Sequence, residues 1–128
     1  MSRIDRHLTS RRKAERRGRH SETLAAILLI CKFYRILGRR VRTHAGEIDL
    51  VARSPSGVIC FIEVKAREER EAAAIALGPR QQARIERAAE LYLAQRPGLK
   101  PKGVRFDAIM VARRGWPRHV QDAWRPQG

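Results

Sequence analysis

"GEIDLVARSPSGVICFIEVKAR", residues 46–67, is the stretch whose reading decides the fold. "EIDLVA" alternates polar and apolar residues with the period of a strand. "RSPSG" carries Pro and Gly where a hairpin turn needs them. "VICFIEVKA" is a second strand, more β-branched and more apolar, and so predicted to be central. Among these strand residues stand Asp49, Glu63 and Lys65. Acids are rare in such a segment unless something binds them.

Alternation assigns the faces. Ile48, Leu50 and Ala52 should share one side of the first strand, with Glu47, Asp49 and Val51 on the other. On the second strand Cys60, Ile62 and Val64 oppose Ile59, Phe61, Glu63 and Lys65. An antiparallel hairpin then sets Asp49 beside Glu63, with Lys65 one step further along. Two carboxylates so close repel unless a cation joins them. Oxygen donors of this kind suit Mg²⁺ or Mn²⁺ and not a closed zinc site. A neighbouring amine can hold an attacking water and offset charge developing on a phosphate. The competing reading is a surface salt bridge, which spacing alone does not separate from a site. Both faces of the second strand are apolar, however, which predicts helices over both sides of the sheet and charges at the mouth of a covered face.

The rest of the chain fits one domain. It has 128 residues and a net charge of +15, with a pI of about 11.5. Such a charge favours a polyanionic partner: DNA, RNA, an anionic membrane surface or an acidic protein. No apolar run approaches the length of a spanning helix, and the basic start lacks the pattern of a secretion signal. Cys31 and Cys60 form no metal-type cluster and read as buried free thiols in a reducing compartment. Residues 1–19 read as a basic arm, 20–125 as the domain and 126–128 as a tail. The arm's "RRKAERRGR", with Arg16 and Arg17, reads as a non-specific phosphate-binding segment or a solubilising tail.

A first helix is expected from a cap at Ser21 or Thr23 to near Gly38, with Leu24, Ala25, Ile27, Leu28, Cys31 and Tyr34 as its stripe. Glu22 is in phase with Ala26, Leu29 and Ile30 on that helix, and reads first as a glutamate favoured by the helix dipole. "RRVRTH" predicts an edge strand. Residues 68–78 predict a short helix or a loop at the site. "PRQQARIERAAELYLAQR" predicts a helix with Pro79 in its first turn and Ile85, Ala88, Ala89, Tyr92 and Leu93 on one stripe. "VRFDAIMVA" and "HVQDAW" predict two last strands. Asp107 is expected to brace Arg105 or a loop. Trp116 and Trp124 are expected to pack. His20 and His44 have no partners that would make a zinc site.

"YRILGRRVRTHAGEIDLVAR" followed by "FIEVKAR" resembles the YraN-like proteins of the bacterial family UPF0102, and the likeness runs over about residues 16–125. "HSETLAAILL", "PRQQARIERAAELYL" and "VRFDAIMV" resemble that family's further conserved elements. The resemblance implies an α/β fold of the restriction-endonuclease and Holliday-junction-resolvase type, three layers with a central mixed sheet flanked by helices. It also implies a site in which Asp49 and Glu63 hold Mg²⁺ or Mn²⁺, Lys65 serves the nucleophile and Glu22 is the acid from the first helix. Arg80, Gln81, Arg84 and Arg67 are then candidate phosphate contacts, with Gln81 standing where the family usually has lysine. Ile48 stands where the superfamily has proline, Ser21 where glycine often precedes the helix glutamate, and Phe33 where glycine is common.

Three functions follow from this reading. One is a metal-dependent nuclease cutting DNA, branched or single-stranded. Another is a nucleic-acid-binding accessory protein in repair, recombination or DNA uptake, with weak or no chemistry of its own. The last is a structural protein of an RNA-rich assembly, which clustered carboxylates disfavour. A cytoplasmic, nucleoid-associated location is expected, with no membrane partner.

Overall fold

The structure, a computed structural model, describes residues 20–66 and 77–126. The basic arm with Arg16 and Arg17, Arg67 and most of the 68–78 segment lie outside the described residues. Helix α1 covers residues 20–31. It is followed by β1 (Arg35–Thr43), β2 (Gly46–Arg53) and β3 (Ile59–Ala66). Then come α2 (Pro79–Ala94), a 3₁₀ turn over Pro97–Leu99, β4 (Val104–Val111) and β5 (Arg118–Trp124).

The five strands form one sheet in chain order. All neighbours run antiparallel except β3 and β4, which are parallel. A parallel pair needs a crossover, and α2 lies in that connection. β1 is an edge strand and β3 the centre, as the charge of one and the apolar run of the other predict. Two helices flank the mixed sheet in a three-layer α/β arrangement. On one face α2 buries Ile85, Ala88, Ala89 and Tyr92 against Ile48, Val51, Ile59, Phe61 and Phe106. The Phe61 and Tyr92 rings meet edge to face at 5.7 Å. Cutting Phe61 back to alanine would cost about 3–5 kcal/mol. On the other face α1 buries Ala25, Ala26 and Leu29 against Leu50, Ala52, Cys60, Ile62 and Ile109.

Several expectations for α1 are corrected. The helix ends at Cys31, well before Gly38, and Ser21 and Thr23 lie inside it. The amide of Phe33 donates to Ile30 O and that of Tyr34 to Leu29 O, which is the Schellman closure of a helix. Phe33 takes the left-handed position at φ +66, where glycine is favoured. The buried stripe is Ser21, Glu22, Ala25, Ala26 and Leu29. Ile27, Ile30 and Cys31 face outward, so Cys31 is not a buried thiol, whereas Cys60 is.

A second correction concerns Ile48. It packs with Val51 on the α2 side, not with Leu50 and Ala52. The alternation breaks at one rung. Arg39 pairs with Leu50 and Val41 with Ile48, which sets Arg40 opposite Asp49. Arg40 adopts φ +50, a conformation costing roughly 1–3 kcal/mol for a non-glycine residue. On the other side, the β2–β3 ladder runs only from Arg53↔Ile59 to Leu50↔Ile62. The strands part at Asp49, and the acids gather in that opening.

Candidate metal centre

Asp49 occupies the rung where β2 leaves β3. Its Oδ2 accepts the Val64 amide at 2.8 Å, so the side chain substitutes for the missing ladder acceptor. Burial drives its pKa up to about 7, and the Glu63 charge beside it adds to the rise. The Val64 N–H pulls the other way. Glu22 pushes up again, as does a hydrogen-bonding contact with Glu63. Asp49 and Glu63 thus lie close enough to interact, and the two carboxylates resist being charged together. Glu63 is not among the carboxylates that come within ligand-sharing distance of one another, which are Glu22, Glu47 and Asp49.

Glu22 reaches the same place from the first described turns of α1 and is buried. The corrected stripe explains this, since Glu22, Ala26 and Leu29 share the face that meets the sheet. Arg40 Nε donates to Glu22 Oε2 at 2.5 Å, which the unusual backbone of Arg40 makes possible. Glu47 joins from the start of β2. One carboxylate oxygen from each of Glu22, Glu47 and Asp49 lies within 4.8 Å of the others. Carboxylate oxygens gathered this closely are hard donors of the kind that would suit Mg²⁺ or Mn²⁺. Glu47 was not singled out from the sequence as a ligand. The signal was present in its place on the Asp49 side of the alternation.

Glu63 sits in the second half of β3 and is buried. Its Oε1 accepts from Gln81 Nε2 at 2.8 Å and faces Lys65 Nζ at 3.1 Å. Gln81 thus holds a site carboxylate, a role that its reading as a phosphate contact missed. It stands in the first turn of α2, where there is no acid, so the positive end of that helix faces the site. Arg80 is exposed in the same turn. Arg84 lies one turn on, against Gly46. A Cβ at Gly46 would stand 3.0 Å from Arg84 Cδ, and Gly46 has φ +138. Glycine is needed there for both reasons, and it lets the Arg84 side chain lie across the start of β2.

The other singled-out residues fall elsewhere. Asp107 braces Arg105 as expected, through two hydrogen bonds of 2.8 and 2.9 Å. It belongs to a separate buried network with His119 and Tyr34 on the α1 side. Trp124 packs, stacking on Phe106 at 5.3 Å. Trp116 does not: it is 80% exposed, because it sits on the tip between β4 and β5 where no layer covers it. Among the described residues, neither His20 nor His44 belongs to a metal-binding cluster. No described helix is long and apolar enough to cross a membrane.

With this geometry in place, similarity to known proteins is specific. The family model described as uncharacterised protein family UPF0102 matches residues 21–111, more than half of the chain. A UPF0102 protein of Parvibaculum lavamentivorans is 51% identical over 113 residues, covering 88% of this chain and 84% of that one. One from Maricaulis maris is 49% identical over 117 residues, with 91% of each chain covered. One from Agrobacterium fabrum is 46% identical over 121 residues, covering 94% and 98%. The match takes in Glu22, Glu47, Asp49, Glu63, Lys65 and Gln81.

Proposed function

The chain belongs to the uncharacterised protein family UPF0102, and from that premise and the packing of its carboxylates we propose that it is a metal-dependent nuclease acting on DNA. The observation that carries this reading is the Glu22–Glu47–Asp49 cluster, whose carboxylate oxygens lie within 4.8 Å of one another, with Glu63 close enough to help raise Asp49 to about 7. A fold gains nothing by crowding like charges in a half-buried opening, but a cation site requires it. Asp49, Glu22 and Glu47 would hold Mg²⁺ or Mn²⁺, with Glu63 beside Asp49 as the further ligand that the family resemblance implies. Such an ion supplies Lewis-acid polarisation of a phosphoryl oxygen.

The chain's own residues do the remaining work. Lys65, held at 3.1 Å by Glu63, orients the attacking water. Gln81 fixes the same carboxylate oxygen, which limits how Glu63 can turn. Arg80 and Arg84 flank the opening and engage phosphates, and Arg16, Arg17 and Arg67 add to them. The net charge of +15 supplies salt-sensitive, sequence-independent affinity, with each neutralised phosphate adding nearly one unit to the slope of log affinity against log salt. The cytoplasm, where chromosomal DNA and Mg²⁺ meet, is the location this function fits.

A second reading has its own support. Arg40 already neutralises Glu22, and Lys65 and Gln81 occupy Glu63 Oε1. A protein that binds DNA for repair or recombination partners without cutting could rest in this state. Cleavage gels on branched, flapped and single-stranded DNA with Mn²⁺ separate the two readings. The nuclease reading expects Lys65→Ala to abolish cutting while metal binding is kept or slightly improved. Binding of metal and DNA with no cutting of any substrate by the wild type would support the accessory reading.

A further inference from the structure

The hairpin tip between β4 and β5 is, among the described residues, a feature near the site that the proposed chemistry leaves unused. It reads "ARRGWPR" over residues 112–118 and contains no acid. Trp116 is 80% exposed. Arg113, Arg114 and Arg118 are exposed around it. The indole is in none of the ring contacts among the described residues, in contrast to Trp124 stacked on Phe106. Gly115, at φ +92, makes the turn that presents it.

Strand register puts this tip at the same end of the sheet as the carboxylates. Lys65 pairs with Met110, and Met110 with Arg118, so the three lie in one row across β3, β4 and β5. Two strand spacings separate Lys65 from Arg118, about 10 Å. That is roughly three steps along one strand of a duplex. A nucleic acid strand seated at Asp49 and Lys65 therefore reaches the tip within a few nucleotides.

Resting on the nuclease reading, we propose that Trp116 is a base-stacking residue that engages an unpaired nucleotide beside the site, with Arg113, Arg114 and Arg118 on the flanking phosphates. The preferred substrate is then a nucleic acid with unpaired bases next to a duplex. The physical ground is the ring itself. Bases inside a duplex have both faces covered by their neighbours, so an indole finds a free π-face only at an end, a fork, a gap or a single strand. The guanidinium groups suit phosphates and reject a cationic or neutral apolar partner surface. An indole set among arginines with no acid is complementary to both parts of a nucleotide.

The test is fluorescence anisotropy of the full chain with labelled oligonucleotides in EDTA, so that binding is read without cleavage. One probe is a blunt duplex, and the other is the same duplex carrying a single-stranded tail. The wild type should bind the tailed probe more tightly. Trp116→Ala should weaken the tailed complex about tenfold, within the range for loss of one base–aromatic stack, and change the blunt complex less than about twofold. Trp116→Phe should recover most of the loss. An equal loss on both probes, or no loss on the tailed one, overturns the stacking role while the nuclease reading stands. Failure of the wild type to bind either probe overturns the nuclease reading itself, and this inference with it.

Discussion

Asp49 and Asp107 are both strand aspartates held inside the sheet, yet the protein treats them in opposite ways. Asp107 is fully buried and accepts four hydrogen bonds: two from Arg105, one from His119 Nε2 and one from the Asp122 amide. Burial is the largest influence on its pKa and pushes it up. His119, Arg105 and the Asp122 amide together outweigh burial and bring it below the ordinary value. Lys32 Nζ contacts His119 Nδ1 at 2.7 Å. An ammonium can only donate, so the imidazole proton sits on Nε2, facing Asp107. Asp49 is half-buried, has one amide donor, and is surrounded by Glu63, Glu22 and Glu47. One aspartate has a donor for each of its bonds. The other shares its opening with three further acids and the Arg40 guanidinium, and it is this crowding that the metal-site proposal rests on.

The comparison breaks most visibly at Asp107. Asp107→Asn would leave Arg105 without its counter-charge in a largely buried network, at a cost of about 3–5 kcal/mol. Urea unfolding reads this directly, and a cost below about 1 kcal/mol would mean that the network is not structural. Its pH window follows from the sign. Asp107 has a depressed folded pKa, so its contribution is complete above the unfolded value, near 3.8. It is lost as pH falls through the folded value.

Asp49 should behave in reverse. Its folded pKa is raised from 3.8 to about 7, so the metal-free protein loses stability as pH climbs through that interval. Asp49→Asn keeps an acceptor for the Val64 amide and removes the charge. It should stabilise the metal-free protein by at most about 4 kcal/mol at neutral pH and flatten the profile between about pH 4 and 7. Thermal melts across pH test this. A less stable variant would mean that Asp49 is a structural anchor like Asp107.

The smallest effect lies beside the Asp107 network. Phe33 holds a left-handed conformation while 84% exposed, so its ring gives little in return. The next residue, Tyr34, accepts a 2.7 Å bond from Arg105. Phe33→Gly should relax the helix end and raise stability by about 0.5–1 kcal/mol. A loss in chemical denaturation would show that the ring contributes more than its exposure suggests.

Much of this contrast was legible in the sequence, and the physics explains what was not. The hairpin, the central β3 and the Asp49–Glu63–Lys65 grouping follow from period-two alternation, which is local. Resemblance to UPF0102 supplied the role of Glu22, which helical phase alone left among first-turn glutamates. Ile48 was assigned to the wrong face because the break at Arg40 and Asp49 depends on strands parting, which no local pattern encodes. The α1 terminus was misplaced because Phe33 does what glycine normally does. Arg40 and Gln81 as partners of the site acids, and His119 as a partner of Asp107, required tertiary contacts between segments far apart in sequence. Trp116 was read as packing because nothing local distinguishes it from Trp124.

The central claim is that the crowded carboxylates around Asp49 form a divalent-cation site, and calorimetric titration of Mn²⁺ or Mg²⁺ at pH 7 tests it most directly. With Asp49 titrating at about 7, binding should expel part of a proton and make the measured heat depend on the buffer. The account predicts saturable binding with that proton release in the wild type, and loss of both in Asp49→Asn. Absence of divalent-cation binding to the wild type, with and without DNA, would contradict it.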